Sequence, residues 1–291
     1  TYNYNRPATD FYKKYAYEDF GSFVDDWQMP TGDHLGNIFV YLAFETIRVS
    51  RLIIVPIPPG SSATNYINGI QSLEDTDIQD LVVLSADPEV QVVGQFHVDE
   101  RSAPENARYR VYWTGPLAGQ PLGDKDTPAS VIGQKQLLKS ERVTFVNTPR
   151  GTVSYLLEDG RTGTKVVDGS FIAGALAVYY NAQAGGAPNV EIIGKVIPGI
   201  RLFPEDIDEF YTTRRLERAG QESIYLINPV GSLALPVVVD DLTTDSSSLE
   251  KQSPNIVRSK DYINRDVAIQ IKNSFQGKLM INPGQHIKNI N

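Results

Sequence analysis

Short runs of Val, Ile, Leu and aromatic residues recur along this chain, and segments with helix start signals lie between them. This pattern restricts the fold to layered α/β architectures. Residues 52–57, 81–86, 109–114, 142–147 and 223–228 are such runs, bounded by turn residues, and read as buried strands. Two of the intervening segments open on a capping side chain followed by proline: Asp87-Pro88 ahead of Val90, Val93 and Phe96, and Thr127-Pro128 ahead of Val131, Ile132, Leu137 and Leu138. The oxygen accepts an orphan backbone N–H, and the proline's fixed φ suits the first helical turn. Further helices are expected over 170–181, 204–219 and 261–278. In the last, Ile263, Val267, Ile271 and Phe275 recur at steps of four, a stripe able to dock on a sheet. The expected class is α/β, with a mixed, largely parallel sheet flanked by helices.

Two segments depart from the alternation. Residues 151–169 read as a β-hairpin, its strands flanking Glu158-Asp159-Gly160, where Asp-Gly is a strong turn signal. Residues 234–240 continue as a strand after Val230-Gly231, and 115–127 and 243–254 read as surface loops. In domain terms, 1–60 lead into the core, 61–280 form it with the hairpin as an excursion, and 281–291 are a short tail.

Charge and composition remove several function classes. The 27 Lys and Arg face 35 Asp and Glu, and the net charge of −8 disfavours a broad nucleic-acid surface. Cysteine is absent, which excludes disulfides and thiolate chemistry. The longest apolar run, NIFVYLAFETIRVSRLIIVPI, is broken by Glu45, Arg48 and Arg51, so direct membrane insertion is not expected.

Catalytic motifs are equally sparse. His34, His97 and His286 show no metal-ligand spacing, and His97 reads as an ordinary half-buried helix residue. Neither Gly-x-Ser-x-Gly, Gly-x-Gly-x-x-Gly nor a P-loop occurs. The nearest approaches to a nucleophile turn are Gly60-Ser61-Ser62 and Gly169-Ser170, and Ser170 reads as a helix N-cap. The carboxylate pairs Asp25-Asp26, Asp206 with Asp208, and Asp240-Asp241 read as solvated structural charge, with a Mg²⁺ or Ca²⁺ site as the competing reading. Arg214-Arg215 with Arg218 read as a solvated helix face or a contact to an acidic neighbour. No cofactor is expected.

Four ordered blocks carry a resemblance. They are FGSFVDDWQMPTGDHLGNIFVYLAFETIRVSRLIIVPI; DLVVLSADPEVQVVG through ARYRVYWTGP; KSERVTFVNTP followed by DGSFIAGALAVYY, with its Ala173-Gly174 step; and ERAGQESIYLINPVGSLALPVVVDDLTTD followed by NIVRSKDYINRDVAIQIKNSFQGKL, with Gly220 and Thr243-Thr244. Their order and wording resemble the tail sheath proteins of contractile bacteriophages and related injection machines. The resemblance implies a non-enzymatic subunit that polymerises as hexameric rings stacked helically around an inner tail tube. It implies a baseplate as a further partner, a place in the virion tail after assembly in the host cytoplasm, and contraction that drives the tube through the host envelope. It also implies extended terminal arms that add strands to a neighbour's sheet. Because the matching blocks begin near Thr1 and end near Met280, the chain is expected to be a fragment of such a subunit, monomeric in dilute solution. Candidate subunit contacts are Arg201, Arg214, Arg215 and Arg218 against Asp25, Asp26, Glu158 and Asp159, with plain solvated charge as the competing reading. The rival function is a carbohydrate-active hydrolase using an Asp/Glu pair beside an aromatic pocket around Trp27 and Trp113, and a third is a binding module on an envelope or capsid.

Overall fold

The computed structural model describes residues 8–27, 34–58, 62–103, 106, 108–156, 161–184 and 190–275. The chain enters through a short strand β1 (Tyr15–Tyr17), helix α1 (Phe20–Trp27) and helix α2 (Leu35–Tyr41). The apolar run then continues as a π-helical turn, Leu42–Ile47, and stops at Arg48, whose φ of 68° places a non-glycine residue in the left-handed region. Strand β2 (Leu52–Ile54) returns antiparallel to β1, with Tyr17 opposite Leu52. This entry builds its own small core from Tyr17, Phe23, Trp27, Val40 and Phe44.

The main body begins with α3 (Ala63–Gln71), β3 (Asp80–Val82), α4 (Pro88–Arg101), β4 (Val111–Thr114), α5 (Val131–Lys135) and β5 (Val143–Phe145). The three strands pair in parallel in the order β3-β4-β5. All four residues of β4 are buried, as a central strand covered on both faces requires. The Asp87 side chain accepts the Glu89 amide at 2.8 Å, so the expected cap and proline start α4.

Strands β6 (Arg150–Leu156) and β7 (Thr162–Asp168) form the expected hairpin, and β8 (Ile200–Arg201) joins the other edge of β6. The turn residues Glu158, Asp159 and Gly160 lie outside the described residues. Between the two sheets runs α6 (Gly169–Ala184), buried on every side through Phe171, Ile172, Ala173, Ala175, Leu176, Ala177 and Val178. The Ala173-Gly174 step lets it close on its neighbours: a Cβ on Gly174 would lie 2.6 Å from Val82 and 2.8 Å from Phe39. After α7 (Thr213–Gln221) come β9 (Leu226–Val230) and β10 (Leu235–Asp240), an antiparallel pair, and then α8 (Leu249–Gln252) and α9 (Pro254–Phe275).

Several expectations are corrected. The class is mixed α/β, but among the described strands parallel ladders are confined to β3-β4-β5, with a single bridge from Val146 to Tyr225 extending them; the other sheets are antiparallel. Thr127 does not cap α5. Its carbonyl presses on Gly133, where a Cβ would lie 1.9 Å away, and Ser130 caps instead by accepting the Gly133 amide at 3.0 Å. Ser170 is already helical, and Asp168 accepts both its hydroxyl and the Phe171 amide. The helix expected over 204–219 is three pieces: a 3₁₀ turn, Pro204–Asp206, a π turn, Ile207–Tyr211, and α7. The segment 243–254 is not simply surface loop, because Thr243 and Thr244 are buried and α8 lies within it. Helix α9 starts earlier than expected, and its stripe does not dock: Ile263, Val267 and Ile271 are about half exposed, at 59%, 49% and 51%.

Candidate functional site

Ligands of open parallel α/β sheets sit beyond the carboxyl ends of the strands. Here that place is filled by protein. Gln91 from α4 donates to Thr114 Oγ1 at 2.9 Å and to the Gly115 carbonyl at 2.7 Å. Gln134 from α5 donates to the Ala86 carbonyl and to Gln91 Oε1, both at 2.7 Å, and accepts the Leu117 amide. Both glutamines are fully buried, and their mutual satisfaction makes this a structural network. Beside it Gly115 abuts Gly169, leaving no room for a side chain on either.

Several titratable groups are likewise engaged. His97 is buried on α4, with Nε2 against the guanidinium of Arg110; burial, then the Arg110 and Arg101 charges, push its pKa down to about 4. Arg110 itself ties down the carbonyls of Glu74 and Thr76. The reading of Asp206 as solvated is corrected: it is buried and takes Arg150 bidentately, at 2.9 Å from Nε and 2.7 Å from Nη2. Asp241 accepts the Asn255 amide at 2.8 Å, and burial, then Asp240, raise its pKa to about 6. Among the described residues no three His, Asp or Glu side chains are grouped to hold a metal ion, and no helix is long and apolar enough to cross a membrane. Trp113 is fully buried beneath Arg258, so it cannot face a sugar.

The surfaces are more open than the interior. Arg201 is exposed on β8 and Arg214 on α7, while Arg215 and Arg218 on the same helix are half-buried, Arg215 lying 3.8 Å from Glu209. Asp25 and Asp26 are exposed at the end of α1, where Asp26 accepts the Tyr17 hydroxyl. Helix α7 thus gathers three of the candidate arginines, and among the described residues no ion pair joins Arg201, Arg214, Arg215 or Arg218 to Asp25 or Asp26.

Sequence reasoning missed two features. The first is a cleft of about 790 Å³ between β2 and β3, lined by Ile53, Val55, Ile70, Leu73, Val82 and Val178 among others. Strand β3 is the edge of its sheet and β2 pairs only with β1 among the described strands, so two strand edges flank apolar space. The apolar run 52–57 signalled the strand but could not say which neighbour it lacks. The second is the charged face by which α9 is held, through Arg258, Asp261 and Arg265.

No family model and no curated protein matches the chain. Solved structures do. The helical sheath of the anti-feeding prophage in its contracted state superposes at TM-score 0.61 with 13% identity, over 96% of this chain and 69% of that one. Its fold is that of contractile sheath proteins. The anti-feeding prophage baseplate structure contains a chain at TM-score 0.63 and 13% identity, covering 97% of this chain and 69% of that one. A sheath tail protein of Desulfitobacterium hafniense matches at TM-score 0.52 and 16% identity over 76% of this chain, and only 46% of its own length is spanned.

Proposed function

We propose that this chain is the core of a sheath subunit that assembles with copies of itself into hexameric rings stacked helically around an inner tube, rests on a baseplate, and contracts to drive the tube through an envelope. The observation that carries this reading is the superposition of 96% of the chain on a sheath solved in its contracted helical state. Two further features support it. The sheet end that hosts chemistry in other α/β folds is occupied by Gln91 and Gln134, which favours a non-enzymatic role. The cleft between β2 and β3 offers strand edges that are unpaired among the described strands to an extended segment of a neighbouring copy, the strand-addition mode that the terminal arms of a sheath would use.

In this reading contraction re-docks subunits as bodies, which favours polar contacts that break and re-form. Arg201, Arg214, Arg215 and Arg218 on one subunit and Asp25, Asp26, Glu158 and Asp159 on another are the proposed contacts. Electron microscopy of this chain within a protein of the length of the solved sheaths tests the proposal. Hollow cylinders are expected, and shorter ones from the Arg214→Glu/Arg215→Glu variant; dispersed particles from the unsubstituted protein would overturn it. The chain of 291 residues alone is expected to sediment as a monomer.

A further inference from the structure

Helix α9 spans 22 residues, yet among its described side chains only Val257 buries a branched aliphatic group. Beyond its first turn, where Pro254 and Val257 are buried and Asn255 is hydrogen-bonded to Tyr180 and Asp241, what holds the helix is charge. Arg258 enters the core and donates to Asp80, its guanidinium 4.3 Å from the centre of the Tyr180 ring. Asp80 is itself fixed by Trp113 Nε1 at 2.5 Å and Asn181 Nδ2 at 2.8 Å, so this inner contact belongs to the core. One turn on, Asp261 takes both Nη groups of Arg142, at 2.7 and 2.8 Å, with the two side chains only 11% and 12% exposed. One further turn on, Arg265 donates to the Tyr109 carbonyl at 2.9 Å and lies 3.5 Å from Asp77. From Asp266 to Ile271 every described side chain is exposed.

Residues 258, 261 and 265 share one face of the helix, and Ile263, Val267 and Ile271 lie on the opposite one. Peeling an apolar helix from a core exposes surface that water disfavours. Opening a buried ion pair instead returns both charges to water and recovers much of their desolvation penalty. We propose that α9 is a hinged rod: Arg258–Asp80 is its pivot, and Arg142–Asp261 with Arg265–Tyr109 is a polar latch that opens without unfolding the sheet. The latch faces Asp77, the Tyr109 carbonyl, the Arg110 carbonyl and Arg142 from the body, with the Arg142 guanidinium 5.6 Å from the centre of the Tyr109 ring.

Hydrogen exchange on the full chain tests this. In the unsubstituted protein the amides of residues 262–271 are expected to be protected, but less than those of β3 and β4. A stretch this short frays once it is released from the body, so Arg142→Gln, which strands Asp261 without its partner, should speed exchange in 262–271 at least tenfold, leaving β3 and β4 within about twofold. Asp261→Asn, which keeps the shape of the side chain, should act in the same direction. An equal acceleration in β3, β4 and α9 would mean that the helix opens only with the whole fold. Unchanged α9 exchange in both variants, or no protection of 262–271 to begin with, would mean that the pair latches nothing. Each of these results overturns the proposal.

Discussion

Gly115 and Gly169 meet backbone against backbone: a Cβ added to Gly115 would lie 2.4 Å from the Gly169 carbonyl oxygen, and one added to Gly169 would lie 2.4 Å from Pro116 Cδ. This is where the loop after β4 crosses the start of α6, and neither wall is a flexible side chain. Gly115→Ala is therefore expected to cost about 2–3 kcal/mol in urea denaturation. Gly36→Ala, in α2 with nothing within 4 Å, should instead stabilise by about 0.5–1 kcal/mol. Equal effects at the two positions would refute the close approach.

The glutamine plug gives a second outcome. Gln134→Leu keeps the volume but leaves the Ala86 carbonyl, Gln91 Oε1 and the Leu117 amide without their partner. The expected loss is about 2–3 kcal/mol, read as a lower denaturation midpoint at unchanged slope. A neutral result would show that water replaces the amide.

Asp241 makes stability depend on pH in an unusual direction. Half-buried beside Asp240, with Glu191 adding repulsion, it titrates at about 6 in the folded chain, against about 3.9 when unfolded. Between these values the folded chain keeps a proton that the unfolded chain has lost, so this contribution falls as pH rises from about 4 to 6. Asp241→Asn should raise stability at pH 7.5 by about 1–2 kcal/mol and leave it unaltered at pH 4. Denaturation at the two pH values measures the difference.

His97 works in the opposite sense. Its pKa of about 4 lies below the unfolded value of about 6.5, so acidification through that window favours the unfolded chain, which alone takes up the proton. His97→Gln should flatten the decline in thermal midpoint between pH 6.5 and 4.5. With Asp241→Asn in place and His97 intact, the decline should steepen, because the compensating carboxylate is gone.

Features set by neighbouring residues were legible in the sequence. Asp87-Pro88 starts α4 because cap and proline act within one turn, and the hairpin of β6 and β7 follows from alternation around a short turn. Features set by distant contacts were not. Thr127-Pro128 has the same local chemistry as Asp87-Pro88, yet the crowding of Gly133 against the Thr127 carbonyl moves the cap to Ser130. A strand of two residues such as β8 is too short to show alternation, so its pairing with β6 left no trace. Helix α9 shows the limit most clearly. Its four-residue period identified an apolar face, but periodicity says nothing of what covers a face, and the inward one is marked by Arg258, Asp261 and Arg265. Of the candidate contacts, Arg214, Arg215 and Arg218 share α7, a clustering visible in the sequence; whether a surface charge meets a partner is written in the partner.

Helix α6 has a mechanical consequence. It is enclosed by β3 and β4 on one side and by α2, the π turn and the β6–β7 hairpin on others, packed so tightly that Gly174 leaves no slack against Val82 and Phe39. Close-packed interiors compress little. No soft layer lies between the hairpin and the parallel strands, so the helix couples the two sheets rigidly.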